Sequence, residues 1–141
     1  MNVFAIVRTM VPSTDRLRRL IADEIGECCE EDVEQRLDDL DSLAERATTD
    51  RLDRDRKTMA ALGSETRHRI ARLLVTADDA LCVCELQPLV DVSESAISHA
   101  LSDLVDAGLV SRDRRGKWRY YESTGRAERV FAALDAAGDD E

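Results

Sequence analysis

The sequence predicts a mainly α-helical fold that carries one small β-hairpin, and three observations predict it. Apolar residues recur at spacings of three and four through most of the chain, the pattern of helices with one buried face. Gly63-Ser64 and, further on, Asp91-Val92-Ser93 stand where one helix would stop and the next would be capped. In the last third, residues 110–113 and 117–122 flank Arg114-Arg115-Gly116, which reads as two short strands joined by a turn where glycine can take a positive φ.

Taken in order, Pro12, Ser13 and Thr14 precede a helical stretch with Leu17, Leu20, Ile21 and Ile25, broken at Gly26. Val33, Leu37, Leu40 and Ala44 then form one apolar stripe on a helix whose other faces are carboxylates. Thr48 to Asp55 reads as a linker or helix start, and Met59 and Leu62 lead to the stop at Gly63. Ile70, Leu73 and Leu74 mark the buried face of the next helix. The chain turns at 76–79 into a short helix expected at about 82–90. After the cap at Ser93, Ile97, Leu101, Leu104 and Val105 supply a core-facing stripe that Gly108 ends. Arg126 to Ala137 closes the chain with a helix that is apolar at Val130, Phe131 and Leu134. The expected organisation is an acidic helical arm with a cysteine pair over 1–50, a folded domain over 51–137 and an acidic tail over 138–141. Residues 1–9 receive no role.

The formal net charge of −10 argues at first against a polyanionic partner, so the location of the charge decides. Residues 23–45 hold eleven carboxylates against Arg36 alone, and the rest of the chain balances nineteen bases with nineteen acids. Bases gather at Arg67, Arg69 and Arg72, and again at Arg112, Arg114, Arg115, Lys117 and Arg119, so a local positive patch is expected on an acidic protein. Eighteen of the twenty bases are arginine, a balance that resembles the surfaces of proteins from salt-loaded cytoplasm, with ordinary acidic surface design as the alternative. No apolar run approaches the length of a bilayer span and no secretory signal is recognisable, so no membrane partner and a cytoplasmic location are expected.

Two short helices followed by a basic hairpin form the layout of a winged helix-turn-helix, in which the second helix enters a DNA major groove and the hairpin reaches phosphates. Ser93 opens that helix, and its solvent side offers Glu94, Ser95, Ser98, His99 and Ser102, with hydroxyls and an imidazole suited to base edges. Its plainer reading is a solvated polar face. The five hairpin cations suit phosphates, and for them the plainer reading is a solvated turn. Trp118 and Tyr120 are expected to be the hairpin's packing side against the helices.

Four cysteines occur as Cys28-Cys29 and Cys82-Val83-Cys84, a pattern that suits free thiols for metal binding or redox sensing better than a disulfide framework. Small buried hydrophobes are the alternative for each pair. On an undistorted helix, side chains two apart point about 200° apart, so joint capture of one ion by Cys82 and Cys84 would require the start of their helix to unwind. Soft thiolates favour arsenite and antimonite, with cadmium, lead and zinc as alternatives, over magnesium or calcium. His68 is assigned no ligand role. A thiol-based redox regulator of the same fold is the main competing function, and an enzyme is not expected, because no phosphate loop, catalytic triad or carboxylate pair is present.

Residues 58–122 resemble the ArsR/SmtB family of metal-responsive repressors, on Leu62-Gly63-Ser64-Glu65-Thr66-Arg67, Leu81-Cys82-Val83-Cys84-Glu85-Leu86, Ser95-Ala96-Ile97-Ser98-His99 and Asp106-Ala107-Gly108-Leu109-Val110. The resemblance implies a homodimer that binds operator DNA when metal-free and lets go when metal binds, with the final helix as a dimerisation element. Arsenic-sensing members commonly carry a third cysteine shortly after the Cys-Val-Cys. Here that position is Gln87, so Cys28 or Cys29 of the same or the partner subunit is the expected further ligand. The family's other metal site, on the last helix, is missing its histidines.

Overall fold

The computed structural model describes residues 14–26 and 30–139, so Cys28 and Cys29 of the expected ligand set lie outside the described residues. The chain divides into two compact units between Leu52 and Asp53.

In the first unit, α1 (Asp15–Ile25) ends at Gly26, whose φ of 82° lets its N–H return to the Ala22 carbonyl. α2 (Glu30–Ala47) follows. Ile21 and Val33 are buried, and Leu37, Leu40 and Ala44 are half-buried along the expected stripe. A two-pronged pair, Arg18 Nη1 to Glu30 Oε2 at 2.6 Å and Nη2 to Oε1 at 2.9 Å, links the two helices. These hydrogen bonds hold the Glu30 carboxyl below its ordinary value.

α3 (Leu52–Ala61) starts at the boundary residue, and the rest of it belongs to the second unit. Ser64 caps α4 (Glu65–Thr76) by accepting from the Arg67 N–H. Two-residue β1 (Leu81–Cys82) leads into one-turn α5 (Val83–Leu86) and a 3₁₀ turn at Gln87–Leu89. A helix expected over 82–90 is therefore broken into three pieces. Cys82 is extended, and Pro88 has no N–H with which to continue an α-helical ladder. α6 (Glu94–Asp106) starts at Ser93, whose Oγ accepts from the Ala96 N–H at 3.1 Å. It stops at Gly108, where φ is 75° and the N–H groups of Gly108 and Leu109 return to the Val105 and Leu104 carbonyls.

β2 (Val110–Arg115) and β3 (Trp118–Ser123) form the hairpin, and α7 (Gly125–Asp139) closes the unit. The sheet order is β1-β3-β2, antiparallel throughout, with Cys82 opposite Tyr120 and Arg112 opposite Tyr121. Sequence periodicity led to two strands. The third is two residues long, too short to show any period.

Ile70, Leu74, Leu86, Ile97, Leu101, Leu104, Leu109 and Phe131 are buried in one core that draws on α4, α5, α6 and α7. Polar ties lock its edges. Thr58, buried on α3, donates to the Arg54 carbonyl at 3.0 Å and accepts from Arg126 Nη1 of α7 at 2.7 Å. Arg67 donates through Nε to the Ala61 carbonyl at 2.8 Å and through Nη2 to that of Ala60 at 3.4 Å, satisfying the open end of α3. Arg72 reaches from α4 to Asp135 on α7 through two bonds of 3.0 and 2.8 Å, and its guanidinium lies 4.4 Å from the Phe131 ring centroid.

The Arg72 hydrogen bonds hold the Asp135 carboxyl below the ordinary aspartate value. A carboxyl lowered in the folded state contributes stability above its unfolded pKa, and the contribution disappears as pH falls through the folded one. Asp135→Asn should therefore be less stable than the parent chain at neutral pH, by a small amount because the pair is exposed. That difference should close as pH drops below about 4, and denaturant titrations at pH 7 and pH 3 measure it.

Candidate nucleic-acid interface and thiol pair

The alternation of core and solvent around α6 determines what it can present. Ile97, Ala100, Leu101 and Leu104 are buried, which leaves Ser95, Ser98, His99 and Ser102 exposed along the other side. Ser93 differs from these, because its hydroxyl is committed to the helix cap.

On the hairpin, Arg112, Arg114, Arg115, Lys117 and Arg119 are all exposed. Arg115 pairs with Arg114's neighbour Asp113 at 3.4 Å and lies 4.6 Å from the Tyr120 centroid, while Lys117 Nζ lies 5.4 Å from that of Trp118. Trp118 is 51 % exposed and Tyr121 only 3 %, so the inward ring is Tyr121, and the expectation that Trp118 and Tyr120 pack inward is corrected. The error is a one-residue slip in a period of two, which exchanges the faces of a strand. The turn is also tighter than expected. Arg115 pairs with Trp118, leaving only Gly116-Lys117 between the strands, and Gly116 takes φ 65°.

The basic group on α4 is spent inside the protein. Arg67 caps α3 and lies 3.6 Å from Asp103, Arg69 faces Glu65 at 3.7 Å, and Arg72 holds Asp135. His68 is half-buried with its ring edge-on to Phe131 at 5.2 Å, a packing residue. The hairpin, by contrast, carries five exposed bases over residues 112–119 against Asp113 alone.

Cys82 and Cys84 are joined as a disulfide with their Cα atoms 5.4 Å apart. Two expectations are corrected together, that the pair stands as free thiols and that its sulfurs diverge. Cys82 is not a helical residue. With φ −90° and ψ 169° it ends β1 and precedes α5, so its sulfur swings toward that of Cys84 with α5 intact. The Cys82 N–H donates to Glu85 Oε1 at 3.0 Å, which fixes this junction. Cys82 is 6 % exposed and Cys84 is open to solvent.

The pair lines a cleft of about 230 Å³ together with Ser98 and Ser102 of α6 and Arg112 and Arg119 of the hairpin. Among the described residues no group of three or more His, Cys, Asp or Glu is arranged to hold a metal ion. Once reduced, the pair supplies two adjacent soft donors, which fit a thiophilic ion and not a hard one. Spacing pointed to the cysteines and to the serines of α6. It carried no sign that they share a cleft, which follows only from the β1–β3 pairing.

A short helix, a tight connection, a 13-residue helix exposing hydroxyls and a cationic hairpin together make a winged helix-turn-helix DNA-binding module. The model of the family described as "Bacterial regulatory protein, arsR family" matches residues 64–112. Over 125 residues the chain is 49 % identical to a protein of Halobacterium salinarum assigned as the arsenical resistance operon repressor ArsR, covering 89 % of this chain and 97 % of that one. It is 38 % identical over 60 residues to the cadmium resistance transcriptional regulatory protein CadC of Listeria innocua, covering 43 % of this chain and 50 % of that one. The homodimeric winged helix-turn-helix DNA-binding domain of Mb0332 from Mycobacterium bovis matches with a TM-score of 0.58 at 26 % identity, covering 66 % of this chain and 89 % of that one. The chain belongs to the ArsR family, and so is a DNA-binding transcriptional regulator and not an enzyme. Among the described residues no helix is long and apolar enough to cross a membrane.

A Cβ added at Gly116 would meet nothing within 4 Å, so only the positive φ resists substitution there. Gly116→Val should cost about 1–2 kcal/mol, and Gly116→Asn less, because asparagine tolerates the left-handed region. Chemical denaturation of the two variants against the parent chain checks the order.

Proposed function

We propose that this protein is a metal(loid)-responsive transcriptional repressor that holds operator DNA while ion-free and is released when reduced Cys82 and Cys84 capture a thiophilic ion. The observation that carries this is the shared cleft, in which the cysteine pair stands beside Ser98 and Ser102 of α6 and Arg112 and Arg119 of the hairpin. An occupant of the thiols is thereby next to the DNA-facing elements. The names of the relatives, arsenical resistance repressor and cadmium resistance regulator, support the same class of inducer.

In this reading Ser95, Ser98, His99 and Ser102 meet base edges and phosphates in the major groove, and Ser93 sets the start of their helix. Arg112, Arg114, Arg115, Lys117 and Arg119 meet phosphates. Arsenite and antimonite are the favoured inducers, with Cys28 or Cys29 as the third sulfur. Both arm cysteines together would make a four-sulfur set suited to cadmium, lead or zinc. Release does not require α5 to unwind. Capture requires reduced sulfurs, which a reducing cytoplasm maintains. The arm over 1–50 supplies ligands and acidic surface, and the domain over 51–137 binds DNA and dimerises. Leu134, 46 % exposed on α7, supports a role for that helix in the dimer, as does the homodimeric M. bovis neighbour.

A second reading, redox sensing by the same thiols, is favoured by one observation, the Cys82–Cys84 disulfide itself. Peroxide would take two electrons and two protons from the thiols, forming the S–S bond and two waters.

Reduced protein bound to its own upstream DNA should be released by arsenite, antimonite, cadmium, lead or zinc, and the release should be lost in Cys82→Ser. DNA binding that no ion weakens, but peroxide does, would replace this reading with the redox one. Arg114→Gln should lower affinity evenly across sequences and reduce the slope of log K against log salt by about 1. Leu134→Glu should shift the sedimentation of the chain from dimer to monomer.

A further inference from the structure

Within the cleft at the thiol pair, one hydrogen bond spans both DNA-facing elements. Arg112 on β2 donates through Nη2 to Ser102 Oγ on α6 at 3.3 Å. Its guanidinium lies 5.5 Å from the Tyr121 ring centroid. Tyr121 is buried and is the ladder partner of Arg112 on one side and of Leu81 on the other, one residue from Cys82. A short path therefore runs from Cys82 through β1 to Tyr121, from Tyr121 to Arg112, and from Arg112 to α6. Cys82, Tyr121, Arg112 and Ser102 all line the same cleft.

The other hairpin cations differ from Arg112. Arg115 is tied to Asp113 and Tyr120, and Lys117 to Trp118, all within the hairpin. Among the described residues none of them hydrogen-bonds to α6. Arg112 ties the outer part of the hairpin to the helix through a single exposed side-chain bond that a small displacement of Tyr121 or an occupant of the cleft can break. A contact made by one side chain between two rigid elements, which can be either made or broken, is the kind of element that coupling between sites needs.

We infer that Arg112 is the positioning residue through which the thiol pair controls DNA binding. Its bond to Ser102 is made with Cys82 and Cys84 joined to each other. With the pair ion-free Arg112 holds the hairpin against α6 at the separation that fits groove and phosphates together, and when an ion occupies Cys82 and Cys84 it lets go of Ser102. The inference rests on the reading of Cys82 and Cys84 as the inducer site. It gives Arg112 a role distinct from a phosphate contact, because a phosphate contact contributes alike with and without ion, whereas a coupling residue contributes to the ratio of the two affinities.

The test uses the reduced full chain and a duplex of its own upstream DNA, with Kd measured without ion, with arsenite and with cadmium. Ion uptake is followed separately by thiolate-to-ion charge-transfer absorbance. In the parent chain the ion should raise Kd by about 5–150-fold, the usual span of such couplings. In Arg112→Gln, and in Ser102→Ala where the guanidinium charge is kept, ion uptake should persist while the rise in Kd shrinks to about twofold or less. By reciprocity, DNA should no longer weaken ion uptake in these two variants. Arg114→Gln, which lacks the contact with α6, should raise Kd in both states and keep the parental ratio. A parental ratio in either Arg112→Gln or Ser102→Ala overturns the role of Arg112 and leaves the inducer site standing. A parent chain indifferent to both ions removes the inducer site and this inference together.

Discussion

The backbone at Cys82 is the constraint on which the working half of the molecule depends. Being extended, this residue closes β1 against Tyr120, opens α5 through its bond to Glu85, and turns its sulfur toward Cys84. A helix begun one or two residues earlier would separate the sulfurs by about 200° and would remove the strand that joins them to the hairpin. Three functions of one residue are thus satisfied by a single pair of torsion angles. The one-turn length of α5 follows from the same constraint, since strand on one side and Pro88 on the other leave room for no more.

Charge is distributed by the same economy of pairing. On α4 every arginine finds an internal partner, a carbonyl end for Arg67, Glu65 for Arg69, and Asp135 with the Phe131 ring for Arg72. Guanidinium suits these sites because its planar fork can meet two acceptors at once, which an ammonium cannot. The hairpin keeps Arg115 and Lys117 over aromatic faces, a softer restraint than a buried ion pair. An acidic chain thus retains a cationic edge where its fold calls for one.

Features set by local chemistry were legible in the sequence. The caps at Ser64 and Ser93, the left-handed glycine at Gly108 and the buried stripe of α6 each depend on neighbours within one or two turns, and each lies where residue type placed it. Features set by tertiary pairing were not. β1 exists because β3 is there to receive it. Either of two adjacent tyrosines could have turned inward, and only packing against the core selects Tyr121. The spacing of Cys82 and Cys84 announced a thiol pair, yet their juxtaposition depends on where a strand ends, which no periodicity of two residues can declare. Arg67 and Arg72 looked like surface charge because a helix-capping or inter-helix role is invisible until the helices are placed.

The chain has one tryptophan, Trp118, which stands at the hairpin turn, half exposed, under the ammonium of Lys117 and along the cleft that holds the cysteine pair. Indole emission shifts with the polarity and charge around the ring, and here no second indole adds background. The molecule therefore carries a built-in optical probe where the hairpin, α6 and the cysteine pair line one cleft, and events there can be followed in native protein without a label.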